Sequence, residues 1–82
     1  MKLIARTALS NPNNDDKATY IFIKLFIVRQ GYWNVSGKFM YPDRETPITY
    51  INTSSKELAE ATYETQVRKY LCEGYNIEEK EL

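Results

Sequence analysis

Tyr20-Ile21-Phe22-Ile23-Lys24-Leu25-Phe26-Ile27-Val28 sets four aliphatic residues, Ile21, Ile23, Leu25 and Ile27, at every second position. Side chains on a strand alternate between its two faces, whereas one face of a helix needs three- and four-residue spacing. The stretch therefore reads as a β-strand over about residues 18–28, and its wealth of β-branched and aromatic residues agrees. One face is aliphatic. The other carries Tyr20, Phe22, Lys24, Phe26 and Val28.

The next segment returns as a hairpin whose register follows from matching hydrophobic faces. A three-residue loop, Arg29-Gln30-Gly31, with Gly31 in the left-handed position, pairs Val28 with Tyr32. Ile27 then faces Trp33, Leu25 faces Val35, Ile23 faces Gly37 and Ile21 faces Phe39. A two-residue loop would set Ile27 against Asn34 and Ile23 against Lys38, which mixes the faces, so the longer loop is expected.

Outward from this hairpin, residues 2–9 read as a first strand. Ser10-Asn11-Pro12-Asn13-Asn14-Asp15-Asp16-Lys17 is all turn chemistry and reads as a mobile loop. Tyr41 to Thr46, with Pro42 and Asp43, is another turn, and a last strand covers about residues 47–52. A four-residue turn from Pro42 to Glu45 would set Ile48 beside Phe39 and Tyr50 beside Gly37. Ser54-Ser55-Lys56-Glu57 matches a capping box, Ser54 capping and Glu57 reaching back. The helix that follows runs to about Cys72 with Gly74 as its terminator. Ala59, Tyr63, Val67 and Tyr70, flanked by Leu71, form its inward stripe, while Glu57, Glu60, Glu64 and Arg68 point away.

The expected fold is α+β: a small antiparallel sheet, β-β-β-β-α in order, with one C-terminal helix packed on its aliphatic face. Residues 1–75 form the single domain, and the charged tail 76–82 is expected to fray.

Composition narrows the function. Eighty-two residues suffice for one domain with a small core, and 43% hydrophobic with 27% charged residues is ordinary for a globular protein. No apolar run approaches a membrane span, and Arg6 interrupts the N-terminus too early for a signal sequence. A lone cysteine, Cys72, suits a reducing cytoplasm and excludes an internal disulfide. It falls beside Glu73 at the helix C-terminus, where the dipole disfavours a thiolate, so it reads as filler. Histidine is absent, which removes the commonest general base and metal ligand. Asp15-Asp16 lacks the spaced ligands of a calcium loop. No enzyme, metal, cofactor or small-molecule substrate is expected.

The formal net charge of zero is unevenly spread. Residues 1–41 carry six Lys and Arg against two Asp, and residues 42–82 carry five against nine acids, so the halves stand at +4 and −4. The basic half contributes most of the face opposite the helix. Tyr20, Phe22, Lys24, Phe26 and Val28 join it from the second strand, Tyr32, Asn34, Ser36, Lys38 and Met40 from the third, and Thr49 and Ile51 from the fourth; if the first strand buries Leu3, Ala5 and Leu9, then Lys2, Ile4 and Arg6 join it as well. Such a face has four cations, no acid and several large apolar side chains, which marks an interaction site. The candidate binding residues are Lys2, Arg6, Tyr20, Phe22, Lys24, Phe26, Tyr32, Lys38 and Met40.

Two ligands fit that description. Single-stranded nucleic acid would stack bases on the rings and lay phosphates on the cations. A protein surface, from a second copy in a homodimer or from a target, would cover Phe22, Phe26 and Met40.

Strands followed by Thr53-Ser54-Ser55-Lys56-Glu57-Leu58-Ala59-Glu60-Ala61 resemble the sheet-plus-helix unit of AP2-type and integrase arm-type DNA-binding domains, which implies a sheet that reads DNA. The whole chain, tiny and rich in Lys, Asn, Ile and Tyr, looks like the small early accessory proteins of tailed phages. That resemblance implies a cytoplasmic inhibitor of a host toxin or defence factor, acting on a host protein or its RNA. The alternative is a homodimeric interaction module with no nucleic-acid role.

Overall fold

In a computed structural model that describes residues 1–11 and 17–81, the alternating stretch forms β2 (Tyr20–Arg29), inside an antiparallel sheet in the order β4-β3-β2-β1-β5. Its neighbours are β1 (Lys2–Ser10) and β3 (Tyr32–Met40); β4 (Glu45–Thr53) and β5 (Asn76–Glu81) lie at the two edges. Helix α1 (Lys56–Cys72) packs on the aliphatic face, giving the expected α+β architecture with one strand more than expected. Among the described residues no helix is long and apolar enough to cross a membrane.

The hairpin register holds where the hydrophobic match decides it. Ile27 lies opposite Trp33, Leu25 opposite Val35, Ile23 opposite Gly37 and Ile21 opposite Phe39. At the turn, Tyr32 pairs with Arg29 rather than Val28, the odd residue being absorbed between Ile27 and Arg29. Gly31 has φ +77°, the left-handed conformation that the turn requires.

The third and fourth strands pair two residues out of the expected register. The Tyr41 N–H donates to the Arg44 carbonyl at 2.8 Å, so β4 starts at Glu45, with Glu45 opposite Met40, Thr46 opposite Phe39 and Ile48 opposite Gly37. A slip of two leaves each side chain on its own face. A bulge between Val35 and Ser36 then changes the alternation, so Ile51 lies opposite Val35 on the helix side, not on the open face.

Every fully buried large side chain sits between sheet and helix. Leu9, Ile23 and Val35 are completely covered, together with Thr7. Helix α1 presents Ala59, Tyr63, Val67 and Tyr70 to them, as its spacing predicts, while Leu71 stays exposed. Its N-cap is Ser55, not Ser54: the Ser55 hydroxyl accepts from the Leu58 N–H at 3.1 Å, and no glutamate completes a box. The C-terminus closes as a Schellman motif, with Gly74 at φ +100° and N–H groups of Gly74 and Tyr75 donating to carbonyls of Leu71 and Tyr70.

Residues 76–81 of the tail are not frayed as expected. Residues 76–81 pair antiparallel with β1, placing Ser10 opposite Asn76, Leu9 opposite Ile77 and Arg6 opposite Glu81. The Schellman turn aims the chain back along β1, whose outer edge would otherwise leave its N–H and C=O groups unpaired. The domain thus extends through at least Glu81. The loop expected at 10–17 lies largely outside the described residues, as do Asp15 and Asp16.

Three tyrosines fix the connection of helix to sheet. Tyr63 hydroxyl meets Thr7 Oγ1 at 2.5 Å, Tyr70 meets Tyr50 at 3.0 Å, and Tyr75 donates to the Ala18 carbonyl at 2.6 Å. Burial pushes the phenols of Tyr50, Tyr63 and Tyr75 above the usual 10.0, because a phenolate there would lose its water. A folded-state pKa raised this way favours the fold below pH 10, and that contribution is lost as pH climbs and the unfolded chain ionises first. Absorbance titration at 295 nm is expected to show Tyr50, Tyr63 and Tyr75 ionising only together with loss of the fold. Their ionisation near pH 10 with circular dichroism unchanged would contradict it.

Candidate functional site

The face opposite α1 carries no covering element among the described residues, and strand register defines what stands on it. Along β2 its positions are Tyr20, Phe22, Lys24 and Phe26, and each heads a row across the sheet. Tyr20 is flanked by Met40 and Ser10, Phe22 by Lys38 and Ala8, Lys24 by Ser36 and Arg6, Phe26 by Asn34 and Leu3. Seven of the nine expected site residues (Arg6, Tyr20, Phe22, Lys24, Phe26, Lys38 and Met40) therefore lie together. Tyr32 sits at the hairpin end of this face, with the Arg29 guanidinium 5.5 Å from its ring centre.

Lys2 does not join them. A bulge between Leu3 and Ala5 inserts Ile4, so Lys2 lies opposite Ile27 on the helix side and Leu3 opposite Phe26 on the open side. One extra residue inverts the faces of everything before it. Ile4 turns to the core side and packs against the buried cluster, also contrary to expectation.

The apolar part of the face is real and divided. Tyr20 and Phe22 stack with ring centres 6.5 Å apart and planes 22° apart, next to Met40. Phe26 and Leu3 make a second patch on the far side of the Lys24 row, and Leu3 and Tyr20 remain 41% and 43% exposed. Beside Phe26 the surface turns polar: Asn34 donates to Asn52 at 2.8 Å, and Ser36 donates to Asn34 at 2.7 Å.

The expected absence of acids fails at both sheet edges. Glu45 on β4, opposite Met40, reaches Lys38 at 3.6 Å, and Lys38 also lies 5.6 Å from the Phe22 ring centre. On β5, Glu79 meets Arg6 at 2.7 Å and Glu81 approaches it at 3.7 Å. Lys24 has no ion pair among the described residues. Of the three cations in the central rows only Lys24 lacks a carboxylate partner, and Arg29, beside Tyr32 at the hairpin end, also has none among the described residues.

Sequence reasoning missed Leu3, Glu45, Glu79 and Glu81. The glutamates of β5 carry a legible signal in hindsight: dense charge on a short segment after a glycine-terminated helix is how an edge strand is kept from pairing with strangers. Among the described residues, no group of three or more His, Cys, Asp or Glu is placed to hold a metal ion, and Cys72 is exposed. The chain matches no family model, no curated protein and no solved structure.

Proposed function

We propose that the protein is a non-catalytic docking module whose open sheet face binds a protein surface. One observation carries the reading: the apolar patches are only partly covered, with Tyr20 and Leu3 exposed and Phe22, Phe26 and Met40 half-buried, while Arg6 and Lys38 are paired with carboxylates of the same chain. A nucleic-acid face needs cations free to replace counterions, and each phosphate neutralised adds about 0.7 to the salt slope for a single strand. Lys24, with Arg29 at the hairpin end, supplies about two such contacts. Protein interfaces, by contrast, combine exposed aromatics and Met with few free charges at their centre. The partner's surface is then apolar, with a carboxylate opposite Lys24.

The resemblance to phage accessory proteins makes that partner a host factor and the outcome its inhibition. A second copy of the chain is the other protein that would cover the same residues.

Fluorescence anisotropy with a labelled twelve-nucleotide oligouridylate separates protein docking from RNA binding. The expected result is no binding tighter than about 100 μM at low salt, with a log–log salt slope no steeper than about −1.5. Micromolar binding with a slope near −3, lost in Lys24→Glu and Phe22→Ala but not in Glu60→Gln, would overturn the proposal in favour of RNA.

A further inference from the structure

The strand β5 is held differently from the other four. All six of its residues are exposed, whereas β1 beneath it buries Ala5, Thr7, Ala8, Leu9 and Ser10. Its one large apolar side chain, Ile77, is itself 44% exposed. What retains it is a backbone ladder broken by a bulge between Ala8 and Leu9, the Arg6–Glu79 pair, and a hydrogen bond from Ser10 to Glu78. An element with little buried apolar area opens locally at far lower cost than the whole fold.

The anchor before it is firm. Tyr75 is buried, its hydroxyl bonds Ala18, and its N–H closes the helix end. Residues 76–81 can therefore leave without unravelling α1.

Next to β5 lies an under-filled groove of about 480 Å³ between α1 and β1, with Ile4, Ala5, Leu25, Tyr63, Val67 and Leu71 in its lining. From β5 only Ile77 and Lys80 reach it. On the other face of the same edge, Arg6 has its Nε buried with no hydrogen-bond partner, the Glu81 carboxylate standing off at 3.7 Å. The native strand leaves the groove under-filled and the Arg6 Nε unpaired, although Glu79 holds the end of the guanidinium.

We infer that β5 is displaceable and that the β1 edge beneath it accepts an extended acidic segment of a partner protein by strand addition. The segment's alternate positions carry carboxylates toward Arg6 and bulky apolar side chains into the groove, while its backbone takes over the β1 ladder. The groove lies on the side of the sheet away from the open face, and Arg6 is the one residue that the two readings share.

The test uses the full chain and a synthetic peptide of the β5 sequence carrying Ile77→Phe and Lys80→Phe, with a second peptide that also carries Glu79→Gln and Glu81→Gln. Hydrogen exchange is expected to show β5 amides opening at least about a hundredfold faster than those of β2. The first peptide is expected to bind with Kd below about 100 μM and to strip the remaining protection from the chain's own β5, and the second to bind about tenfold more weakly. Exchange of β5 in step with β2, no binding at about 1 mM peptide, or binding that leaves β5 protected would overturn the inference. Equal affinity of the two peptides would overturn the role given to Arg6.

Discussion

Replacing Gly37 with alanine is expected to remove about a third or more of the protein's folding stability. A β-carbon at this position would lie 1.7 Å from the Phe22 carbonyl oxygen and 3.2 Å from the Ile23 Cα. Both atoms belong to the backbone of β2, so no rotamer change can relieve the overlap. The two central strands would have to part, at the row where Ile23 is fully buried. A loss of about 4 kcal/mol or more follows, against a total stability of about 4–12 kcal/mol for a domain of this length. Gly31→Ala is the control: its φ of +77° is unfavourable for alanine but nothing lies within 4 Å, so about 1–2 kcal/mol is expected. Urea denaturation of both variants measures this. A Gly37→Ala protein as stable as Gly31→Ala would contradict the close approach of the strands.

Truncating Ile23 is expected to cost nearly as much, about 4 kcal/mol, at the upper end for an aliphatic core residue. Its row on the helix side runs Thr7, Ile23, Gly37 and Ile48. Gly37 has no side chain to swing into the gap, and Thr7 is committed to the Tyr63 hydroxyl. The cavity stays empty, and lost dispersion contacts add to the lost burial. Leu25→Ala removes a similar volume, but Leu25 borders the 480 Å³ groove, so solvent and neighbouring side chains can enter the space. About 2 kcal/mol is expected there. Equal losses at the two sites, or a greater loss at Leu25, would show that the groove is closed in solution.

The central hairpin was legible because its faces differ so sharply. Four aliphatics at alternate positions of β2 admit only one register against Trp33, Val35, Gly37 and Phe39. The helix stripe was legible for the same reason. What escaped was every place where one residue is added without a change in composition. The bulge at Ile4 moved Lys2 off the open face and Leu3 onto it, and the bulge in β4 turned Ile51 inward. Neither leaves a glycine or proline as a marker, since a single extra residue is accommodated by local twist alone.

The strand β5 escaped for a different reason. Its residues are all exposed, so hydrophobic periodicity has little to report, and it exists because β1 needs a partner for its outer edge. The cost of missing it fell on the candidate site. Without Glu79 and Glu81, and with β4 started two residues late, the open face looked basic. With them, its cations are mostly spoken for, and the balance moves from phosphate towards protein.

Site-specific photo-crosslinking tests the docking claim most directly. A benzophenone side chain placed at Phe26, which lies on the open face and away from α1, is irradiated in cells expressing the full chain, with the same group at Glu57, exposed on the helix and outside the groove, as control. A discrete protein adduct is expected from Phe26, to a second copy or to another protein, and none of that mass from Glu57. Adducts to RNA alone, or no adduct from Phe26 beyond the Glu57 background, would contradict the docking claim.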